Sequence, residues 1–350
     1  MKAPQRILVA RTDRLGDVLL SLPALSVLRR ALPTTSIDFL CPPQILQAIA
    51  PFLAEMGIEP VAFTSPRLAS GRRAFRRGYG ATLFLHAPAA WYWAARLARV
   101  PIRMGNRSRV PSLLTLNRGL RQNRSGATRS EGEYALELVG ALLACLSPGT
   151  PAPTAKPIRI PVDPADSARA LAALSTAGLE AGERFAILHP GMGGSALNLS
   201  AEKYLSLLDA WQGIHLPRLV LSEGPSTTDQ EMARRILELR PDLPHLSGLP
   251  LPVFREILRL ATVFLGPSTG TLHLAHFVGT PTVGLFSPVK SHCPERWAPR
   301  GGVGFSEVLL PAVDCPGKRG CIGPRCKEYF CMDRTPWEEM LLKTRAAGQR

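Results

Sequence analysis

Apolar and polar positions along the chain alternate between two periods. Short apolar runs of strand length occur at 6–11 ("RILVAR"), 36–41 ("SIDFLC"), 60–64 and 81–86 ("ATLFLH"). Such runs predict strands buried on both faces, as in a parallel sheet. Between them lie stretches of helical spacing, notably 17–32, where Pro23 is expected to start a new helical segment or kink the helix. A helix over 133–146 closes this half. Residues 147–164, "SPGTPAPTAKPIRIPVDP", carry six prolines and read as a stiff, extended linker. The alternation then restarts, with strands predicted at 184–189, 218–222, 262–266 and 281–286. Helices are predicted at 165–177, 200–212, 228–239, 253–260 and 270–278, and no short repeat is present. The order predicts two α/β domains, 1–160 and 161–330, with a tail helix over 331–350. Ligands are expected in a cleft facing the carboxyl ends of the strands.

Composition narrows the class. The 350 residues are 45% hydrophobic and 20% charged, which fits a soluble globular protein with two full cores. No apolar run reaches the length of about 20 residues that spans a bilayer. Asp13, Arg14 and Asp17 interrupt any signal-like run, so a cytoplasmic location is expected. Cys315, Cys321, Cys326 and Cys331 cluster late in the chain with C-x5-C-x4-C-x4-C spacing. That spacing lacks the paired CxxC of common zinc modules, so packed thiols are favoured over a metal site. The net charge of +15 is unevenly placed: between Glu59 and Glu131 there are 14 arginines and no acid. A surface of one sign implies a polyanionic partner such as a phosphorylated glycolipid or an anionic membrane. The plain alternative is a solvated basic face. Nucleic acid is the weakest candidate, since no recognition motif accompanies the charge.

Three strand-to-loop junctions concentrate chemistry. In "RTDRLGD" (11–17), Asp13 lies just past a strand end, where a carboxylate can take a proton from an acceptor hydroxyl. Pairing with Arg11 or Arg14 is the structural alternative. Gly16 permits close backbone approach, and Asp17 is expected to cap the following helix. In "HPGMGGS" (189–195), Gly191, Gly193, Gly194 and Ser195 predict a flexible loop with free N–H groups suited to phosphate. In "GPSTGTLHLAH" (266–276), Ser268 or Thr269 can cap a helix. Gly270 and Thr271 then leave its first N–H groups open as an anion site. His273 is placed to bond a phosphate or sugar hydroxyl, while His276 reads as structural. After the strand at 218–222, Glu223, Asp229 and Glu231 could bind a nucleoside ribose or simply furnish the first turn of a helix. Trp91, Tyr92 and Trp93 could seat the chain at a membrane interface or pack into the domain.

Together these pieces resemble the lipopolysaccharide heptosyltransferases, family 9 glycosyltransferases with the GT-B fold of two Rossmann-like domains whose parallel sheets face a central cleft. The likeness runs from the R-x-D-x-x-G-D core at 11–17 through "VPIRMG" at 100–105, "HPG" and "STGTLHLAHFVGTPTVGLFSP" to Cys331-Met332. It implies an inverting transfer of a heptose or similar sugar from a nucleotide-diphospho-sugar, with ADP-heptose the family donor. The acceptor it implies is a lipopolysaccharide core or a related anionic, lipid-linked glycan, held by the N-terminal domain at the membrane's inner face. Asp13 maps onto the family's base, and Asp229 onto its ribose-binding acid. Gly16, Gly191, Gly193, Gly194, Ser195, Ser268, Thr269, Gly270, Thr271 and His273 map onto the donor site, with no cofactor or metal implied. Arg11 and Arg14 either orient Asp13 or meet the acceptor. The chain departs from the family where many members carry Lys and then Trp-Pro, having Leu197 and then Leu199-Ser200. It departs again at Ser268, where an acid is usual. A cationic diphosphate contact and a carboxylate contact to the donor sugar are therefore missing there. Alternatives of the same fold are a nucleotide-sugar epimerase or hydrolase, or a non-catalytic nucleotide-sugar or polyanion binder.

Overall fold

The computed structural model describes residues 4–194, 197–212, 216–316 and 321–348. The chain divides into two compact units, Met1–Pro161 and Val162–Arg350, the division falling inside the proline-rich stretch.

The first unit is built on β1 (Arg6–Arg11), β2 (Ser36–Cys41), β3 (Glu59–Ala62), β4 (Ala81–His86), β5 (Ile102–Asn106) and β6 (Arg118–Leu120). All pairings are parallel, and the order across the sheet is β3-β2-β1-β4-β5-β6. This is the doubly wound order, in which the chain reverses direction across the sheet between β1 and β4. The helices are α1 (Leu15–Ala31), α2 (Pro43–Ala48), α3 (Ala50–Glu55), α4 (Leu68–Phe75), α5 (Ala89–Leu97), α6 (Val110–Thr115) and α7 (Glu131–Leu146). Ile7 to Ala10 are fully buried because β1 is central, which accounts for its unbroken apolar run. Helix α1 is not interrupted at Pro23: it runs on to Ala31, buried from Val18 to Leu28 between the sheet and α7. Packing on both sides outweighs the one hydrogen bond that proline removes.

The second unit repeats the plan with β7 (Phe185–Leu188), β8 (Arg218–Ser222), β9 (His245–Leu246), β10 (Val263–Pro267), β11 (Thr282–Leu285) and β12 (Ser306–Leu309). Its order, β12-β11-β10-β7-β8-β9, is the same topology, with the reversal between β7 and β10. The helices are α8 (Pro164–Thr176), α9 (Ala201–Gln212), α10 (Thr227–Leu239), α11 (Leu251–Leu260), α12 (Gly270–Val278), α13 (Pro294–Trp297) and α14 (Trp337–Gly348). Helix α14 packs across β10, β11 and β12, and its Met340 and Leu341 enter the unit's core. The tail is therefore part of this unit.

Four strands, β5, β6, β9 and β12, lie outside the sequence expectation. Three of them are sheet edges, and Arg103, Arg118, His245 and Glu307 interrupt their apolar runs. An edge strand buries too little to need a continuous one. Among the described residues no helix is long and apolar enough to cross a membrane.

Candidate active site

At the reversal point of the first sheet, the pairing of β1 with β4 skips Leu85, so Arg11 lies opposite His86. Such a bulge re-aims side chains at a strand end. Beyond it, the Thr12 amide donates to the His86 carbonyl at 3.2 Å, which fixes the loop carrying Asp13. The Arg11 side chain is 0% exposed and lies among three carboxylates. Its Nε donates to Asp13 at 2.8 Å, and its Nη2 to Asp17 at 2.6 Å and to Glu131 at 3.4 Å. Glu131, itself 1% exposed, also receives Arg124 at 3.1 Å. Asp13 is partly open, and its second oxygen stands 3.7 Å from His86 Nδ1.

Glu131 comes from the start of α7, where Ser130 and Glu133 form a capping box. Gly132 lets α7 approach α1: a Cβ there would stand 2.9 Å from the Leu20 carbonyl oxygen. The S-x-x-E pattern at 130–133 was the available signal for Glu131. His86 carried no signal, because its place depends on β4 lying beside β1.

Burial raises the Asp13 carboxyl above the usual carboxylate range, against the pull of Arg11. Burial pushes Asp17 up to about 6, again opposed by Arg11. The Arg11 guanidinium is held protonated: burial works against its charge, but Asp13, Asp17 and Glu131 outweigh that. His86 is lowered by burial and by Arg11, so it is neutral at pH 7.

Two expectations change here. Arg11 does not face solvent, so it orients Asp13 and cannot touch an acceptor directly. Asp17 does not cap α1: the N-cap residue is Arg14, without a side-chain bond, and Asp17 sits in the first turn paired with Arg11. Arg14 is exposed, and Gly16 lies half-buried in that same turn.

At the reversal point of the second sheet, β7 leads into His189-Pro190-Gly191. His189 is buried against Phe254 and Phe264, with Nδ1 3.0 Å from Ser222 Oγ. The loop that follows does not present free amides throughout. Asp229, buried in the first turn of α10, accepts the Met192 N–H at 2.8 Å and the Gly193 N–H at 2.9 Å. The predicted ribose ligand is thus the anchor of the loop predicted to hold phosphate. Helix α10 is capped instead by Ser226, whose Oγ accepts the Asp229 N–H at 3.2 Å. Gly191 and Gly224 make room for the carboxylate: a Cβ at Gly191 would lie 2.8 Å from Asp229 Cγ, and one at Gly224 2.3 Å from Oδ2. Gly193 and Gly194 are exposed at φ +55° and +65°, the left-handed region that glycine adopts without strain. Ser195 lies outside the described residues. The loop's far end is tied by Asn198 to the Pro190 carbonyl at 2.6 Å, and the Ser200 N–H donates to Asp333 at 2.7 Å. Leu197, where many family members have lysine, packs against the apolar core.

On the neighbouring strand, β10 runs into α12. Thr269 is its N-cap residue, accepting the Leu272 N–H at 3.4 Å and lying 2.8 Å from Thr271 Oγ1. Ser268, Thr269, Gly270 and Thr271 are all partly open. Thr269 accepts one first-turn amide, and the positive end of the α12 dipole remains at this corner. His273 is buried, with Nδ1 lacking a hydrogen-bond partner among the described residues, and burial lowers it to about 3. It is a neutral group inside the corner. His276 bonds Ser306 Oγ at 3.1 Å and accepts the Gly302 N–H at 3.1 Å, a structural role.

Of the four late cysteines, Cys331 packs against the apolar core, and Cys315 and Cys326 are half-buried. All line one cavity of about 210 Å³ with Leu197 and Asn198, and Cys321 is exposed. No three His, Cys, Asp or Glu side chains among the described residues are arranged to hold a metal ion. Of the three aromatics in α5, Trp91 is buried with Nε1 donating to the Ser65 carbonyl at 3.1 Å. Tyr92 is half-buried against Phe84, and only Trp93 is exposed.

Two parallel six-stranded sheets of Rossmann order, each with its switch point loaded with polar groups, define a GT-B glycosyltransferase fold. The model of glycosyltransferase family 9 (heptosyltransferase) matches residues 118–303, more than half of the chain, and the chain belongs to that family. A Haemophilus influenzae protein provisionally named a glycosyltransferase is 27% identical over 317 residues, 88% of this chain and 89% of its own. A solved family 9 glycosyltransferase from Veillonella parvula superposes with a TM-score of 0.77 at 18% identity, covering 99% of this chain and 97% of that one. The Escherichia coli ADP-heptose lipopolysaccharide heptosyltransferase II superposes with a TM-score of 0.70 at 18% identity, covering 100% and 99%.

Proposed function

We propose that the chain transfers a heptose or closely similar sugar from a nucleotide-diphospho-sugar to an anionic, lipid-linked glycan, with inversion at the anomeric carbon. The observation that carries this reading is Asp13. Its carboxylate stands at the switch point of the first sheet, is aimed by a buried arginine, and is pushed by burial towards stronger basicity. In the transfer, Asp13 takes the proton of the acceptor hydroxyl. The hydroxyl oxygen bonds the anomeric carbon as the bond from that carbon to the diphosphate oxygen breaks, and the electron pair leaves with the nucleoside diphosphate. Neutral His86 beside Asp13 gives the captured proton an onward acceptor.

The donor role falls to the second unit. Its exposed Gly194, with Ser268, Thr269, Gly270 and Thr271 at the start of α12, offers amides, hydroxyls and a helix dipole to the departing diphosphate. Asp229 serves that site through the loop it shapes. ADP-heptose is the first donor to try, given family membership and the ADP-heptose enzyme among its structural relatives. Exposed Arg14 is the nearer candidate for an acidic acceptor group.

The test has two parts. Thermal shift against ADP-, GDP-, UDP- and dTDP-sugars identifies the donor, since a ligand bound only by the native state raises its melting temperature. Asp13→Ala then abolishes transfer while that shift persists; undiminished turnover in Asp13→Ala excludes the base role.

A further inference from the structure

The first unit carries five large apolar side chains that are exposed: Leu68, Trp93, Leu97, Val110 and Leu114. They are not scattered. Leu68 is on α4, Trp93 and Leu97 are on α5, and Val110 and Leu114 are on α6. These helices are neighbours, α4 packed on α5 and α5 on α6. Gly71 sets the first contact, since a Cβ there would lie 2.7 Å from Ala94 Cβ. In the second contact, Arg96 Nη1 donates to the Leu114 carbonyl at 3.0 Å, which brings the outer ends of α5 and α6 together. Trp93 and Leu97 are four residues apart, as are Val110 and Leu114, so each pair shares a helix face.

The charged residues on and beside the same helices are of one sign. Arg72, Arg73 and Arg76 at the end of α4, Arg96 and Arg99 at the end of α5, and Arg109 before α6 are all exposed. None makes an ion pair among the described residues. Isolated exposed leucines need no explanation, but a set confined to three adjoining helices whose charged residues are all arginines without ion pairs does. An apolar protein partner would not call for so many unpaired cations. A soluble polyanion would not call for the leucines and the tryptophan. A bilayer surface with anionic head groups answers both: acyl boundary for Trp93, Leu97, Val110 and Leu114, phosphates for the arginines.

We propose that the face made by α4, α5 and α6 docks the chain onto a lipid bilayer carrying anionic head groups. The inference stands whatever sugar is transferred.

The experiment is flotation of the purified full-length protein with vesicles of phosphatidylcholine alone or mixed with phosphatidylglycerol. The protein is expected to float with the mixed vesicles, weakly with phosphatidylcholine, and less as salt rises. Arg72→Ala/Arg73→Ala/Arg76→Ala lowers binding by about fivefold per arginine. Leu97→Ser/Leu114→Ser lowers it by about tenfold or more at constant salt. Both variants should melt like the parent, since the replaced side chains are exposed. Three results would overturn the proposal. One is a parent protein indifferent to phosphatidylglycerol, and another is a leucine variant that binds mixed vesicles as the parent does. Sedimentation velocity could instead reveal a dimer that Leu97→Ser/Leu114→Ser dissolves, in which case a second copy covers this face.

Discussion

Asp229→Ala separates the two roles that this residue can play. As a ribose ligand, Asp229 would contribute only when the donor is bound, and the ligand-free protein would melt unchanged. As the loop anchor, it contributes at all times. Its Oδ1 accepts two backbone N–H groups, from Met192 and Gly193, at 2.8 and 2.9 Å. A hydrogen bond to a charged group contributes about 1.5–3 kcal/mol. Gly193 is exposed, so its freed amide is rehydrated and much of its share is recovered. The Met192 amide and the void beside Gly191 and Gly224 are not so relieved. The net loss is about 2–3 kcal/mol, which for a unit of this size lowers the melting temperature by about 4–12 °C. Gly224→Ala is the companion variant: its Cβ would meet Asp229 Oδ2 at 2.3 Å and displace the carboxylate with the acid still present. Asp229→Asn keeps an acceptor oxygen and should lose the least. The assays are calorimetric melting without ligand and donor KM against kcat. Both Asp229→Ala and Gly224→Ala should lower the melting temperature and raise donor KM, with kcat less affected. An Asp229→Ala protein that melts like the parent without donor refutes the anchor.

Arg11→Met removes the guanidinium that opposes the upward push of burial on Asp13, so the acid limb of kcat/KM should move to higher pH, and the protein should lose about 3–5 kcal/mol because buried Glu131 loses one of its guanidinium partners. An unmoved acid limb in Arg11→Met would separate Arg11 from Asp13. His189, His273 and His276 are lowered by burial to about 4, 3 and 4, so unfolding takes up protons as pH falls below the ordinary histidine value of 6.5. Their stabilisation is whole above 6.5 and is lost towards 4, a fall that urea midpoints against pH will register or contradict. Asp17 has the opposite sign: burial raises it from 3.8 to about 6, so its ionisation costs stability as pH rises through that window. Asp17→Asn should therefore gain on the parent protein between pH 4 and 6, and a pH-independent difference in melting temperature counts against this. Gly119→Ala should unpair β5 from β6, since φ is +142° and the added Cβ would lie 1.9 Å from the Gly105 carbonyl oxygen; amide exchange in Ile102–Asn106 reports it.

The central strands were legible because burial on both faces writes itself as an uninterrupted apolar run, as in "ILVA" and "FAIL". Three of the four edge strands were not, because stretches such as "RGL" and "HL" carry no such pattern and exist through their neighbours. The site divides in the same way. Asp13, Thr269 and Gly270 could be found because a strand end, a cap and a glycine are local signals. Glu131 and His86 reach Asp13 only through the helix crossing at Gly132 and the strand order that puts β4 beside β1. Asp229 shows the limit most clearly. A first-turn acid after a strand has one local pattern whether it faces a ribose or a loop amide, and only the fold shows the Met192 and Gly193 amides on its Oδ1.

The charge of the chain acquires a location from these facts. In the loop proposed to hold the donor, Leu197 is apolar, His189 and His273 are neutral, and Asp229 is buried. In the proposed transfer a departing diphosphate there would be met by dipoles, which are already oriented and need no counter-ion to be displaced. In the first unit, Arg11 and Arg124 are consumed by Asp13, Asp17 and Glu131, which leaves that cluster with more carboxylates than guanidiniums. Such a surplus of acid keeps the proton affinity of Asp13 high, as a base requires. On α4, α5 and α6 and at their ends, Arg72, Arg73, Arg76, Arg96, Arg99 and Arg109 carry positive charge that no carboxylate offsets among the described residues. On the proposed reading, the two switch points serve proton capture and leaving-group stabilisation, and the basic surface serves attachment.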